Sequence, residues 1–297
     1  MKNVTMILLS ILLASCHRPA SLERLLQPGA QLEKVADGFL FTEGPAADAE
    51  GNLFFTDQPN NRIMRLGVDG ALTTYLQPSG RSNGLYFDRE GRLWACADER
   101  NQLWRVDAAG APVVMLDGYE GRKLNGPNDL WISPDGTIYF TDPWYARPWW
   151  DHSEEPQDCR AVYRFHPQTG ELTRVAGDLV QPNGIVGTPD GRILYVADID
   201  DHKTWRYDID SDGTLSGKTL FCELGSDGMT IDSRGNLYLT GHGVTVYDRR
   251  GRLVGNIPVP ESWTANVCFG GPGHRELFIT ASKGVYRMRM STSGNRP

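Results

Sequence analysis

The chain has 297 residues, a formal net charge of −7 and 33 glycines. A β-rich chain of this length can form one domain with a sizeable core, and its acidity, without a Lys/Arg cluster, excludes the usual electrostatic footprint of nucleic-acid binding. Many glycines, together with eight Trp and eleven Tyr, are typical of short strands joined by tight turns.

The first fifteen residues are predicted to be a lipoprotein signal peptide. Lys2 supplies a positive charge, and the apolar run at 6–14 is too short to span a bilayer. Leu13-Ala14-Ser15-Cys16 resembles the bacterial lipobox, in which the signal is cleaved before the cysteine and that cysteine is acylated. The resemblance implies an exported protein, periplasmic or at the cell surface, whose only membrane contact is lipid on Cys16. Residues 16–30 would be a tether; the alternative is an ordinary signal peptide with a chance cysteine.

Four further cysteines follow the predicted signal, namely Cys96, Cys159, Cys222 and Cys268. An oxidising compartment would permit disulfides, and four cysteines allow three pairings between which the sequence does not choose. Their spacing fits no zinc template, and three of them lie in strand-like runs. We therefore predict buried free thiols.

From Thr42 onward the chain repeats one pattern six times. In each repeat a polar head residue opens a strand-like run, a Gly-bearing turn follows, and a second strand-like run begins. The clearest copy extends from Asn183 to Asp198. The six head residues are Glu43, Asn83, Asn128, Asn183, Asp227 and Asn266, with spacings of 40, 45, 55, 44 and 39. A repeat of this length with four short strands is typical of a propeller blade.

These repeats predict an all-β fold, a six-bladed β-propeller over residues 31–290 with four antiparallel strands per blade. The sixth repeat lacks a fourth strand, and residues 31–36 from the other terminus are expected to supply it and cover the exposed edge. The longest spacing results from an insertion at residues 143–160 that is rich in Trp, Pro and charge. Residues 291–297 are expected to form a frayed tail.

The head residues are expected to form a ring of oxygen atoms, because the first strand of every blade lines the central axis. Carboxylate and amide oxygens without Cys or His make a hard site that suits calcium, magnesium or manganese. The alternative is that these polar groups only satisfy backbone groups at the strand starts.

Eight short motifs resemble, in the same order, those of the SMP-30/gluconolactonase family. They are Glu43-Gly44-Pro45, Phe55-Thr56-Asp57, Ser82-Asn83-Gly84, Pro127-Asn128-Asp129, Phe140-Thr141-Asp142-Pro143, Pro182-Asn183-Gly184, Tyr195-Val196-Ala197-Asp198 and Asp227-Gly228-Met229. The family is known as six-bladed propellers with one divalent metal at the mouth of the central tunnel. The resemblance implies a metal-dependent hydrolase that opens a lactone ring, with a sugar aldonolactone as the leading substrate.

Carried over residue by residue, the resemblance implies Glu43, Asn183 and Asp227 as metal ligands and Asn128 as a further ligand or a substrate contact. Calcium is the first choice of metal, with zinc, magnesium and manganese as alternatives. Asp227 is also implied as the base that takes a proton from the attacking water. For Asp142 and Asp198 we favour turn capping over a role as the base.

Substrate contacts are harder to assign, because some family members carry an Arg at the position of Gly126. We predict Arg122 and Asn125 from the same loop as replacements, with Lys123 as an alternative, and His152 from the insertion. The insertion's aromatic residues suit either a lid that stacks on a substrate or simple packing over the mouth.

Two other functions stay open, another ester specificity at the same site and a propeller used only for binding. We expect a monomer that acts on a small-molecule lactone and has no nucleic-acid partner.

Overall fold

Six four-stranded antiparallel sheets make up almost all of the regular structure. The computed structural model describes residues 21–107 and 110–295, so the predicted signal peptide and Cys16 lie outside the described residues. Over the described part of the chain, no helix is both long and apolar enough to cross a membrane.

Each sheet is one blade of a six-bladed β-propeller, as the repeats predicted. The first strand in the chain is β1 (Glu33–Asp37). Blade 1 contains β2 (Thr42–Ala47), β3 (Leu53–Asp57), β4 (Arg62–Leu66) and β5 (Leu72–Leu76); blade 2 contains β6 (Ser82–Phe87), β7 (Leu93–Ala97), β8 (Gln102–Val106) and β9 (Pro112–Leu116). Blade 3 contains β10 (Leu130–Ile132), β11 (Ile138–Asp142), β12 (Ala161–His166) and β13 (Glu171–Ala176); blade 4 contains β14 (Pro182–Gly187), β15 (Ile193–Asp198), β16 (Lys203–Ile209) and β17 (Leu215–Cys222).

Blade 5 contains β18 (Met229–Ile231), β19 (Leu237–Gly241), β20 (Gly243–Tyr247) and β21 (Leu253–Ile257), and blade 6 contains β22 (Thr264–Gly270), β23 (Glu276–Ala281) and β24 (Gly284–Arg289). The described residues also include short 3₁₀ helices at Leu22–Arg24, Gln58–Asn60, Asp98–Arg100 and Pro272–His274. The predicted insertion at residues 143–160 is confirmed as the irregular connection between β11 and β12.

Blade 6 is closed by β1, which pairs antiparallel with β24 and places Glu33 opposite Arg287. Their side chains form an ion pair at 2.6 Å. The prediction of an N-terminal outer strand is therefore confirmed, and the blade 6 edge that the C-terminal part of the chain leaves open is paired.

The second strand of most blades is buried along its whole length. All five residues of β3, β7, β11 and β19 are buried. A strand that packs against both neighbouring blades has no solvent-facing side, which explains apolar runs such as Leu-Phe-Phe and Ile-Tyr-Phe instead of an alternating pattern.

Glycine after the head residue lets neighbouring blades approach each other at the axis. A Cβ on Gly44, which has a φ of +46°, would lie 1.9 Å from the carbonyl oxygen of Asn83 in the next blade, and one on Gly228 would lie 2.0 Å from Cγ of Asn266. No larger residue fits at either position. At these two positions glycine therefore allows neighbouring blades to approach closely.

Both ends of the described chain are packed more closely than the sequence predicted. The main-chain N–H of Ser291 donates to the carbonyl oxygen of Leu25 at 2.7 Å, and that of Gly294 donates to His274 at 2.9 Å. Leu25 and Met290 are buried between these segments. Packing therefore begins near residue 22, before the expected end of the tether, and residues 291–295 are not a frayed tail.

All four cysteines among the described residues are free thiols, as predicted, but the predicted burial holds for only two of them. Cys96 and Cys222 are buried, whereas Cys159 and Cys268 are partly exposed.

Candidate metal and active site

The two carboxylates predicted as metal ligands face the same end of the tunnel, which we call the mouth. Glu43 lies in β2, and Asp227 lies just before β18. Burial raises the pKa of Glu43 well above its usual range, and the negative charge of Asp227 raises it further. Burial also raises the pKa of Asp227 to about 6, although hydrogen bonds from Trp263 and Asn183 oppose that shift. Two buried, mutually repelling carboxylates make a site that a cation would stabilise.

Asn183 lies against Asp227 and is oriented by its neighbours. Its Nδ2 donates to Oδ1 of Asp227 at 2.8 Å and to the Tyr145 hydroxyl at 2.9 Å. The other oxygen of Asp227 accepts a hydrogen bond from Nε1 of Trp263 at 2.6 Å. The buried Oδ1 of Asn183 has no hydrogen-bond partner among the described residues. This oxygen is left available to a ligand of the protein.

A second amide oxygen in the ring is in the same situation. The buried Oδ1 of Asn83, in β6, also has no hydrogen-bond partner in the described part of the chain. Unsatisfied buried oxygens are costly, and their presence beside two repelling carboxylates fits a divalent cation. Across residues 21–107 and 110–295, no three His, Cys, Asp or Glu side chains form a metal-binding group, so amide oxygens would have to complete the set.

Asn128 is buried at the head of blade 3, and its main chain fixes its position. Its N–H donates to the carbonyl oxygen of Thr141 at 2.9 Å, and its carbonyl oxygen accepts from the main-chain N–H of Gly84 at 2.7 Å. These bonds hold the main chain of Asn128 between blades 2 and 3, and the role of its side chain stays a prediction.

Asp129 is a buried carboxylate that the sequence analysis did not assign. Burial raises its pKa to about 7, and its Oδ2 accepts a hydrogen bond from Nδ2 of Asn266 at 3.3 Å. Oδ1 of Asn266 accepts from the N–H of Val267 at 2.8 Å. The sequence allowed Asn266 to be either part of the oxygen ring or a structural residue. In the structure its side chain binds Asp129 and the main chain inside the tunnel.

Three other buried aspartates at strand ends have structural roles. Asp142 accepts the main-chain N–H groups of Asn125 and Gly126 at 2.9 and 2.8 Å. Asp198 accepts those of Val180 and Gln181 at 2.9 and 2.7 Å. The preference for turn capping at Asp142 and Asp198 agrees with these bonds, and Asp57 caps the first loop in the same way.

The structure does not bring the side chains of Arg122 and Asn125 to the ring carboxylates. Asn125 is fully buried. Its Nδ2 donates to the carbonyl oxygen of Cys159 at 3.1 Å, and its Oδ1 accepts from the main-chain N–H of Gln157 at 2.9 Å. Arg122 is exposed, and its charge acts on Asp158 rather than on the ring carboxylates. Lys123, the alternative, is paired with Asp151.

Arg147, from the insertion, brings positive charge to the ring carboxylates, where the sequence predicted Arg122. Its Nε lies 3.0 Å from Oδ2 of Asp98, and its charge lowers the pKa of both Glu43 and Asp227. The guanidinium lies between two aromatic rings, 5.4 Å from that of Tyr145 and 5.6 Å from that of Trp149. No sequence pattern marked Arg147, because the insertion has no strand period.

His152 is part of an aromatic cluster in the insertion. Its ring lies 5.7 Å from Trp144 and 5.0 Å from Trp150, and its Nε2 is 3.3 Å from Oδ1 of Asn101. Trp150 also explains Gly126, because a Cβ at position 126 would lie 2.9 Å from the Trp150 ring. The Trp150 ring of the insertion thus fills the space that a side chain at position 126 would need.

Comparison with known proteins identifies the family and agrees with the fold. The SMP-30/Gluconolactonase/LRE-like region model matches residues 41–283. A gluconolactonase from Zymomonas mobilis is 31% identical, with 92% of this chain and 85% of the relative aligned. A 6-deoxy-6-sulfogluconolactonase from Pseudomonas putida is also 31% identical, over 78% and 79% of the two chains.

Among solved structures, a gluconolactonase from Xanthomonas campestris superposes with a TM-score of 0.84 at 30% identity, covering 92% of this chain and 95% of that one. These relatives support lactone hydrolysis by an enzyme. The chain belongs to the SMP-30/gluconolactonase/LRE-like family.

Proposed function

We propose that the protein is a divalent-metal-dependent lactonase and that its substrates are sugar aldonolactones. The observation that carries the proposal is the Glu43–Asp227 pair beside the unsatisfied Oδ1 of Asn183. Lactonase relatives support the reaction class, and the chemistry of this oxygen set supports the metal.

The residues that would hold the metal are Glu43, Asn183, Asp227 and Asn128. Carboxylate and amide oxygens without sulfur or imidazole favour calcium over zinc. The chemistry that such an ion supplies when bound is polarisation of the lactone carbonyl.

In this proposal Asp227 would take the proton of the attacking water. Hydrogen bonds from Asn183 and Trp263 hold one carboxylate oxygen each, so the plane of the carboxylate is fixed while other lone pairs remain. The pKa of Tyr145 is raised by burial, so its hydroxyl stays protonated and lies beside Asn183 as a hydrogen-bond donor for the substrate. These residues would orient the ester relative to the water.

The substrate class is proposed from Arg147 and the aromatic cluster. A guanidinium has five N–H donors, and Asp98 engages only part of that fork. The remaining donors suit hydroxyl oxygens on a sugar ring, whereas the tryptophans provide an apolar wall. A hydroxylated lactone would form hydrogen bonds with the guanidinium and pack against the tryptophans, whereas an alkyl lactone would only pack against the tryptophans.

A lactone panel assayed with and without chelator, on the wild type and Asp227→Ala, tests the proposal. We expect turnover of aldonolactones by the wild type that chelator abolishes and calcium restores, and loss of turnover in the variant. Turnover that resists chelation would contradict the metal mechanism. The absence of turnover of any lactone would favour a propeller used only for binding, and turnover of aryl or phosphate esters alone would favour another ester specificity.

A further inference from the structure

Exposed arginines collect on one sector of the surface opposite the mouth. They lie in turns and terminal segments of blades 5 and 6, at the strand ends farthest from the head residues. We call this set the basic face; it consists of Arg24, Arg234, Arg249, Arg250, Arg252, Arg275 and Arg289. The sequence shows no such cluster, because the arginines come from five separate segments.

Main-chain contacts hold these segments side by side. Segment 289–294 forms hydrogen bonds of 2.7 to 3.1 Å with segments 22–27, 233–234 and 274–275. The turn that carries Arg249 to Arg252 leads into β21, where a Cβ on Gly255 would lie 3.0 Å from Leu22. The arginines therefore share one surface although they are distant in sequence.

Most of these arginines form no ion pair within the described structure. Arg252 pairs with Asp248 at 2.6 Å and Arg289 approaches Glu33 at 3.9 Å. The remaining five arginines form no ion pair with any described residue. The corresponding turns of blades 1 to 4 are instead rich in acidic residues, namely Asp48, Glu50, Asp69, Glu90, Asp135, Asp190, Asp210 and Asp212.

The N-terminal end of the described chain lies on this same face. The 3₁₀ helix Leu22–Arg24 packs beside β21, and Leu26 bridges to Met290. Residues 1–20, which precede the described chain, carry the apolar run and Cys16 of the predicted lipobox. Lipid anchors are commonly supported by a basic surface that attracts anionic headgroups.

We propose that the basic face docks on an anionic phospholipid surface beside the anchor. In that orientation the mouth, at the other end of the tunnel, points away from the bilayer and stays open to small-molecule substrates. The attraction would act within about 10 Å of the membrane at moderate salt. This inference goes beyond the proposed function and does not depend on it, because binding is measured without any substrate.

Vesicle co-sedimentation of the full chain carrying Cys16→Ser tests the proposal without the acyl group. Vesicles of phosphatidylcholine, with and without phosphatidylglycerol, are compared at low and high salt. The apolar run contributes equally to both vesicle types, so the difference between them reports the electrostatic part. The basic-face variant combines Arg234→Gln, Arg249→Gln, Arg250→Gln and Arg275→Gln. Its matched control combines Arg89→Gln, Arg100→Gln, Arg122→Gln and Arg192→Gln, which are exposed arginines elsewhere.

We expect at least tenfold tighter binding to the anionic vesicles than to the neutral ones at low salt, and the basic-face variant, which lacks four of the arginines, should lose that preference. The control variant should retain the preference for anionic vesicles, and high salt should remove it. Equal binding to both vesicle types at low salt would overturn the proposal, and so would an equal loss in the control. Thermal unfolding of both variants verifies that each is folded.

Discussion

At the scale of single residues, buried carboxylates differ in the number of hydrogen-bond donors that they meet. Asp142 and Asp198 each accept two main-chain N–H groups. Glu43 accepts only the N–H of Gly44 at 2.9 Å and faces a second carboxylate. Asp142 and Asp198 therefore hold loops, whereas Glu43, with one donor and a second carboxylate beside it, is suited to bind a cation.

Arg147 is expected to determine specificity for hydroxylated lactones. Arg147→Met keeps much of the side-chain stem but removes the charge and the donors. We expect the KM for glucono-δ-lactone to rise about tenfold, equivalent to one lost charged hydrogen bond, with little change for δ-valerolactone. Steady-state kinetics on both lactones measures the difference.

Arg122→Met is the matched control, because Arg122 is an exposed arginine away from the ring carboxylates. It should leave both KM values unchanged. An equal effect of Arg147→Met on the two lactones would mean that Arg147 only holds the insertion to Asp98.

Asp142 is expected to make stability depend on pH. Burial raises its pKa to about 7, so between about pH 4 and pH 7 the folded protein holds a proton that the unfolded chain releases. This group therefore stabilises the fold in acid, and its contribution is lost as pH rises through the folded pKa. The difference is at most on the order of 4 kcal/mol.

Asp142→Asn removes that titration. Urea unfolding of the wild type and the variant at pH 5 and pH 7.5 should show a smaller change in the free energy of unfolding for the variant. An unchanged difference between the two pH values would mean that Asp142 titrates near its ordinary pKa.

The structure brings the predicted metal-ligand residues Glu43, Asn183 and Asp227 close together, but it does not bring the predicted substrate contacts Arg122 and Asn125 to them. Glu43, Asn183 and Asp227 could be found because each opens a periodic repeat and matches a motif. Arg122 and Asn125 were chosen by closeness in sequence to Gly126, but Asn125 is used by the loop itself and Arg122 is exposed. Arg147 reaches the mouth only because the irregular insertion folds back over blade 2.

At the scale of elements, threonines on the second strands connect neighbouring blades close to the site. Oγ1 of Thr141, on β11, donates to the carbonyl oxygen of Asn183 at 2.7 Å. Thr56 makes the equivalent bond to Asn83 at 3.2 Å. These hydroxyls connect the position of a head residue to the core of the preceding blade.

Thr141→Val should therefore destabilise the protein by about 1–3 kcal/mol, because it leaves a buried carbonyl group without its donor. Thr73→Val, on the exposed strand β5, is the matched control and should change stability by less than about 0.5 kcal/mol. Chemical denaturation of both variants measures the difference. Equal stability of the two would show that the inter-blade bond contributes nothing net.

At the scale of the whole molecule, the ring is held closed by strands from both ends of the chain. Ala36, in β1, is buried with Phe55 and Val285, so it joins blade 6 to blade 1. Ala36→Asp places a charge in this apolar contact. We expect the whole ring to unfold in one transition whose Tm falls by several degrees.

Gln31→Asp makes the same kind of change at an exposed position and should leave the Tm unaltered. Differential scanning calorimetry of both variants tests the point. A separate early transition in Ala36→Asp would show that blade 6 unfolds alone and that ring closure is not cooperative.

The number of blades was predictable from the period of the repeat. The closing strand was predictable because the sixth repeat lacks one strand. The packing of residues 22–26 and 291–295 was not, since these segments have no repeat and are held mainly by main-chain bonds. The basic face is likewise a product of the fold, because it joins segments far apart in the sequence.

The central claim is that one divalent cation bound by Glu43, Asn183 and Asp227 is needed for lactone hydrolysis. Calorimetric titration of chelated protein with calcium, together with the kcat for glucono-δ-lactone on the same samples, tests it most directly. We expect one site in the wild type and in Asp200→Asn, an exposed aspartate, with turnover rising in step with occupancy. Asp227→Asn should lose both binding and turnover. Full turnover by metal-free wild type, or unchanged calcium binding by Asp227→Asn, would contradict the account.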